Sequence, residues 1–232
     1  MCIAFLTQIN EISMSQEARE KATAARSEAR KLLTMPYEVR KDILFAIADS
    51  LIERQDELMA ANKIDLAAAE QGNISKVLKK RLKLTVAKLA TLAAGLRQIA
   101  DKPDPLGVVK SKRELADGLE LTLTTVPIGV LMIIFESRPD SMPQISGLAL
   151  ASGNGLLLKG GKEATYTNAA IHKVIGDAIE KGSEGKIKRD IIALVTTRGQ
   201  VRHNACYVHG NSSARVQVTH DCMHGIRWKT GC

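Results

Sequence analysis

Val130-Leu-Met-Ile-Ile-Phe135 is apolar at every position, so a strand built from it has to be covered on both faces. Strands of that kind belong to parallel sheets enclosed by helices, and parallel neighbours need a crossover of about a dozen residues or more. The sequence that follows supplies such crossovers. A charged turn, Glu136-Ser-Arg-Pro-Asp140, leads into a helical segment with Ile145, Leu148 and Ala149 that stops at Gly153-Asn-Gly155. A second buried strand, Leu156 to Lys159, precedes Gly160-Gly-Lys-Glu163 and a helix through Ile171, Val174, Ile175 and Ile179. A third strand is expected over 191–195. The order strand, helix, strand, helix, strand predicts half of a Rossmann-like sheet with right-handed connections. Ligands of such sheets lie at the carboxyl ends of the strands, which places candidate chemistry in the turns 136–140 and 159–163.

The first hundred residues have a different texture. Ser13-x-x-Gln16 is a capping signature, and Ala18, Ala22, Ala25 and Ala29 form a narrow stripe on one helix face. Thr34 and Pro36 restart the pattern, after which Val39, Ile43, Ile47 and Leu51 repeat every four residues. Beyond Gly72-Asn73, the stripe Leu82, Val86, Leu89, Leu92, Leu96 and Ile99 keeps helical spacing until Lys102-Pro-Asp-Pro105 forbids further helix. These stripes are core. Leu119, Leu121 and Leu123 alternate with Glu120, Thr122 and Thr124, which predicts a strand with one wet face.

Composition excludes several classes. The net charge of +8 suggests nucleic acid, but Lys and Arg are interleaved with Asp and Glu along helices, and seven aromatic residues offer no stacking platform. No stretch approaches the roughly 18 apolar residues of a membrane span. Four cysteines, three of them beyond residue 200, do not make a disulfide framework, and an N-terminus without a basic leader leaves the cytoplasm as the default compartment.

Two turns carry candidate chemistry. Lys159-Gly-Gly-Lys-Glu163 lies between a strand and a helix, where glycines let a ligand approach the backbone and lysines can meet ribose or phosphate oxygens; the alternative is an ordinary turn with surface lysines. Arg138 ends the most buried strand and can bind a phosphate or carboxylate in bidentate fashion, or pair structurally with Glu136 or Asp140. The glycines of Gly153-Asn-Gly155 precede a strand and do not form a dinucleotide fingerprint.

Val126-Pro-Ile-Gly-Val-Leu-Met-Ile-Ile-Phe-Glu-Ser-Arg-Pro-Asp140 and Ser152-Gly-Asn-Gly-Leu-Leu-Leu-Lys-Gly-Gly-Lys-Glu163 closely resemble the γ-glutamyl phosphate reductase family. That family includes the free-standing enzyme and the reductase domain of bifunctional pyrroline-5-carboxylate synthase. Ala60-Ala-Asn-Lys-Ile-Asp-Leu66 and Glu114-Leu-Ala-Asp-Gly-Leu119 support the resemblance, which runs from about Ser15 to Arg198; Gly95-Leu-Arg-Gln-Ile99 leans toward the animal bifunctional form. It implies an aldehyde-dehydrogenase-like α/β fold, N-terminal helices followed by a partial Rossmann-like parallel sheet, with a strand arm near Leu119 to Thr125 for homo-oligomers.

The resemblance also implies chemistry. A cysteine thiolate displaces phosphate from γ-glutamyl phosphate, and the thioester accepts hydride from NADPH to give glutamate semialdehyde in proline biosynthesis. Carried over by position, Lys159, Gly160, Gly161, Lys162 and Glu163 lie along the cofactor's adenosine ribose, while Glu136, Ser137 and Arg138 border the nicotinamide and substrate pocket. The expected divisions are 1–14, poorly matched; 15–105, the helical part of the cofactor domain; 106–198, strand arm and partial sheet; and 199–232, an aberrant, disordered tail.

The tail departs from the family. It holds four of five histidines and three of four cysteines, but their spacing matches no zinc module, so no metal site is expected. The family's Gly-Ile-Cys-His nucleophile context does not occur, and none of the four cysteines is assigned the role. The chain is therefore expected to lack the catalytic half and to have negligible reductase activity. The rival expectation is a non-catalytic fragment that pairs with full-length subunits through its arm and sheet edge. Descent from an animal bifunctional synthase would place it in mitochondria.

Overall fold

The computed structural model describes residues 16–72 and 75–195, together with the backbone of two short strands at 206–207 and 215–218. Helix α1 (Gln16–Leu33) is followed by α2 (Tyr37–Glu53), α3 (Gln55–Gln71), α4 (Lys76–Leu82) and α5 (Val86–Ala100). An antiparallel hairpin, β1 (Val109–Ala116) and β2 (Leu119–Thr124), separates them from the alternating part. That part runs β3 (Val130–Phe135), α6 (Ser141–Ala151), β4 (Gly155–Gly160), α7 (Thr165–Gly182) and β5 (Ile192–Leu194). Strands β3, β4 and β5 are parallel neighbours, as expected of an aldehyde-dehydrogenase-like sheet.

Both faces of this sheet are covered, and the side-chain alternation of a strand explains how. Val130, Met132, Leu157 and Ala193 point to one side, where they meet Ala18 and Ala25 of α1. Ile133, Phe135, Leu156, Leu158 and Ile192 point to the other, into a larger core with α2, α5, α6 and α7. The alanine stripe lets α1 lie close to the sheet: a Cβ at Gly155 would stand 2.8 Å from the Ala25 carbonyl oxygen. In the larger core Ile43, Ile47, Leu51, Leu89, Leu96 and Ile175 are all buried, as their spacing requires.

The stripe from Leu82 to Ile99 is not one helix. The chain leaves the helix at Lys83, and Thr85 starts a new one, its hydroxyl accepting from the Lys88 amide at 3.2 Å. The new start turns Val86 outward, to 51% exposure, although the same spacing had placed it in the core.

A buried cation ties three segments together. The Arg40 guanidinium donates to both oxygens of Asp104 at 3.0 and 2.6 Å and to the Ala151 carbonyl at 2.9 Å. It also lies 4.9 Å from the centre of the Tyr37 ring. The Pro-rich link after α5 is thereby held against α2 and the end of α6.

One expectation is corrected. Strand β2 is exposed on both faces, not one, because its only neighbour among the described residues is the equally exposed β1. Beyond residue 199, β6 (Cys206–Tyr207) and β7 (Arg215–Val218) extend the sheet, with β7 antiparallel to β3. The free edge of β3 offers unpaired N–H and C=O groups, and a short extended segment satisfies them. The histidine and cysteine side chains of that region, and the Ser13 cap, lie outside the described residues. Among the described residues no helix is long and apolar enough to cross a membrane.

Candidate functional site

The three parallel strands end side by side, and their carboxyl ends open into a cleft of about 540 Å³. Glu136 enters from the end of β3; Lys159, Gly160, Gly161, Lys162 and Glu163 form the turn between β4 and α7. Six of the eight residues singled out in the sequence are thus brought to one place. The cause is topological, because parallel strands joined by right-handed crossovers put all their exits on the same edge.

The two glycines are required by close approach. A Cβ at Gly160 would stand 2.3 Å from Asn168 Nδ2, and one at Gly161 would stand 2.6 Å from Glu163 Oε2 and 3.4 Å from the Glu136 backbone. The glycines hold the two turns together and leave the floor of the cleft bare. Around it stand two ammonium groups, Lys159 and Lys162, and two carboxylates, Glu136 and Glu163. Such a set can meet hydroxyls through its carboxylates and phosphate oxygens through its cations.

Ser137 and Arg138 do not line this cleft. Ser137 is buried with φ of 50°, a left-handed conformation that turns the chain from β3 toward α6. Arg138 is half-buried and forms no ion pair with Glu136 or Asp140, so the structural pairing considered for it is not made. The turn is braced by backbone bonds instead, from Ser141 N to the Arg138 carbonyl at 3.1 Å and from Met142 N to the Pro139 carbonyl at 3.3 Å.

Four lining residues were not anticipated: Thr165, Asn168, Leu194 and Val195. Leu194 and Val195 follow from the same edge rule, since they end the third strand. Thr165 and Asn168 belong to the first turn of α7, where spacing of three brings them to one side. Asn168 is buried, and its Oδ1 has no hydrogen-bond partner among the described residues.

The first turn of α7 has an unusual closure. Asp65 on α3 accepts from Thr167 N at 2.7 Å, from Tyr166 N at 3.2 Å and from the Thr167 hydroxyl at 2.6 Å. The helix N-terminus behind the cleft is therefore satisfied by an internal carboxylate. A helix N-terminus of this kind often receives a ligand's phosphate; here Asp65 already occupies it.

A helix-covered parallel sheet with its polar cleft at the strand carboxyl ends defines an open α/β protein. The chain belongs to the aldehyde dehydrogenase family, whose model matches residues 6–214. It is 48% identical over 184 residues to delta-1-pyrroline-5-carboxylate synthase A of Arabidopsis thaliana, covering 79% of this chain and 25% of that protein. It is 44% identical over 179 residues to a gamma-glutamyl phosphate reductase of Prochlorococcus marinus, covering 77% of this chain and 40% of that one. The solved gamma-glutamyl phosphate reductase of Saccharomyces cerevisiae superposes with a TM-score of 0.74 at 39% identity, covering 81% of this chain and 48% of the yeast chain. The chain thus spans between a quarter and a half of the length of these relatives.

Proposed function

We propose that this chain is the nucleotide-binding part of a γ-glutamyl phosphate reductase acting in proline biosynthesis, and that its cleft takes the adenosine end of NADPH. The observation that carries this reading is the convergence of Lys159, Lys162 and Glu163 over two bare glycines at the ends of three parallel strands. The donor set suits the group: a nicotinamide dinucleotide offers ribose hydroxyls to the carboxylates and phosphates to the ammonium groups. The relatives named above, at 39 to 48% identity, support the choice of substrate family.

Within this reading Lys159 and Lys162 hold the ribose and its phosphate, while Glu163 orients them. Glu136, Ser137 and Arg138, at the end of β3, border the nicotinamide and substrate side. When bound, NADPH would supply the hydride that reduces the γ-glutamyl group to the semialdehyde as phosphate leaves. No cysteine falls within 17–195, so the proposal assigns these residues cofactor binding and leaves the acyl chemistry elsewhere.

Isothermal titration of the chain with NADPH at low ionic strength tests the reading. Saturable binding that weakens about tenfold in Lys162→Ala or Lys159→Ala, and weakens with added salt, is expected. Absence of binding, or binding indifferent to both substitutions, would overturn it. A second reading, a non-catalytic partner of complete reductase subunits, rests on the exposed leucines of β2 and predicts co-elution with a full-length reductase.

A further inference from the structure

We infer that Asn62 and Asp65 are positioning residues for the cleft, acting through the first turn of α7. The inference rests on the nucleotide-binding reading and concerns how its wall is held.

Asn62 and Asp65 stand one turn apart on α3, 1% and 3% exposed. Neither touches the cleft. Asn62 Nδ2 donates to the Leu82 carbonyl at 3.0 Å and to Thr167 Oγ1 at 3.2 Å, while its Oδ1 accepts from the Leu84 amide at 2.9 Å. The Thr167 hydroxyl in turn donates a hydrogen bond to Asp65 Oδ2 at 2.6 Å. Every atom of this network with a donor or acceptor to satisfy is satisfied, and it joins α3, the link between α4 and α5, and the start of α7. Thr167 lies between Thr165 and Asn168, both of which line the cleft.

The geometry has two consequences. The position of α7 along its axis is set by three bonds to one carboxylate, so Asn168 is held under Gly160 and the turn 159–163 has a fixed back wall. Ala164, which follows Glu163, is pressed against Ala69 and Leu82 by the same contact of α3. A carboxylate buried only for packing is costly, because an apolar side chain of the same size would do as well. A carboxylate buried to take the amides of a helix N-terminus also denies that terminus to a ligand's anion. The nucleotide's phosphate is then steered to Lys159 and Lys162, at the other side of the turn.

Asp65→Asn, Thr167→Val and Thr167→Ser separate this role from a structural one, with Ile47→Val as a core control. Asp65→Asn keeps the side-chain size, Thr167→Val exchanges the hydroxyl for a methyl group of similar size, and Thr167→Ser keeps the hydroxyl. NADPH titration and thermal melting are read on each full chain, together with hydrogen exchange of the amides from 162 to 168. Asp65→Asn and Thr167→Val are expected to weaken NADPH binding about tenfold and to speed exchange at 165–168. Thr167→Ser should bind within about twofold of the parent chain, and Ile47→Val should melt lower with its affinity unchanged. Affinity that follows melting temperature alike in all four variants, or an Asp65→Asn chain that binds and exchanges as the parent does, would overturn the inference. A parent chain that binds no NADPH overturns the nucleotide reading and this inference with it; intact binding in the parent and in Asp65→Asn overturns the inference alone.

Discussion

At Gly160 and Gly161 the same added methyl group has different consequences. At Gly160 it would meet the Asn168 amide, a short buried side chain at 2.3 Å, whereas at Gly161 it would meet the far end of Glu163 at 2.6 Å. A carboxylate tip swings aside; a buried amide under a strand end does not. Gly160→Ala is therefore expected to cost about 1–3 kcal/mol of stability by overpacking, and Gly161→Ala less than about 1 kcal/mol. Gly161→Ala should instead weaken NADPH, because Glu163 is re-aimed. Urea denaturation of the two variants, compared with their titrations, checks the split; equal losses of stability would contradict it.

His172 makes a second residue-scale prediction. Burial lowers its pKa from the ordinary 6.5, although Nε2 donates to the Ile192 carbonyl at 2.8 Å, a bond that works in the opposite direction. The unfolded chain then binds the proton more readily than the folded one. The stabilising contribution of the neutral ring is present above about pH 6.5 and is lost as pH falls below it. Glu28 adds a later loss: burial pushes its carboxyl up, but the Lys188 amide at 3.0 Å and the Lys31 ammonium at 2.6 Å hold it below the usual 4.5. Urea midpoints of the parent chain should therefore fall from pH 7 to pH 5.5, and His172→Gln should fall less. Parallel falls in the two chains would remove His172 from the account.

At the scale of elements, the seam between α2 and α7 is closed by Gly182. A Cβ there would stand 2.7 Å from the Ile43 Cα and 3.0 Å from the Asp42 carbonyl oxygen, both backbone atoms that move only with the whole helix. Gly182→Ala must separate the two helices that carry Ile43, Ile47, Ile175 and Ile179, all fully buried. The expected loss is about 3 kcal/mol, more than at Gly160, read as a lower denaturation midpoint; a loss under about 1 kcal/mol would mean that the seam yields. None of this is visible in the spacing of apolar residues, which predicts which face of each helix is buried but not how near two faces come. The break at Lys83 to Thr85 was hidden for a similar reason: the apolar stripe continues across it, and only the Thr85 cap marks the new start.

For the whole molecule, assembly turns on the hairpin. Leu119, Leu121 and Leu123 are 43%, 37% and 58% exposed, and β1 and β2, exposed along their whole length, form a sheet only with each other. An exposed two-stranded ribbon is marginal by itself, so the chain is expected to self-associate through it. Leu121→Lys with Leu123→Lys should shift sedimentation toward the monomer while leaving the circular dichroism of the helical part unchanged. A parent chain that sediments as a monomer, or a double variant of unchanged size, would exclude the hairpin as an interface.

The sequence by itself determined the three sheet strands, their order and the turn that follows each, because burial on both faces and a glycine stop are local properties of a few neighbouring residues. From these the cleft residues Glu136 and Lys159 to Glu163 were legible, since parallel strands share an exit edge. Ser137 and Arg138 were assigned to the nicotinamide and substrate side by the family resemblance; neither lines this cleft, where the chain turns away through a left-handed conformation at Ser137. Only the tertiary structure decided that Asp65 closes the N-terminus of α7 from 102 residues away, that Asn168 lies beneath Gly160, and that β2 is bare on both sides. Periodicity records how much of a residue is buried. What it is buried against depends on chain segments brought together across long loops, and no local pattern carries that information.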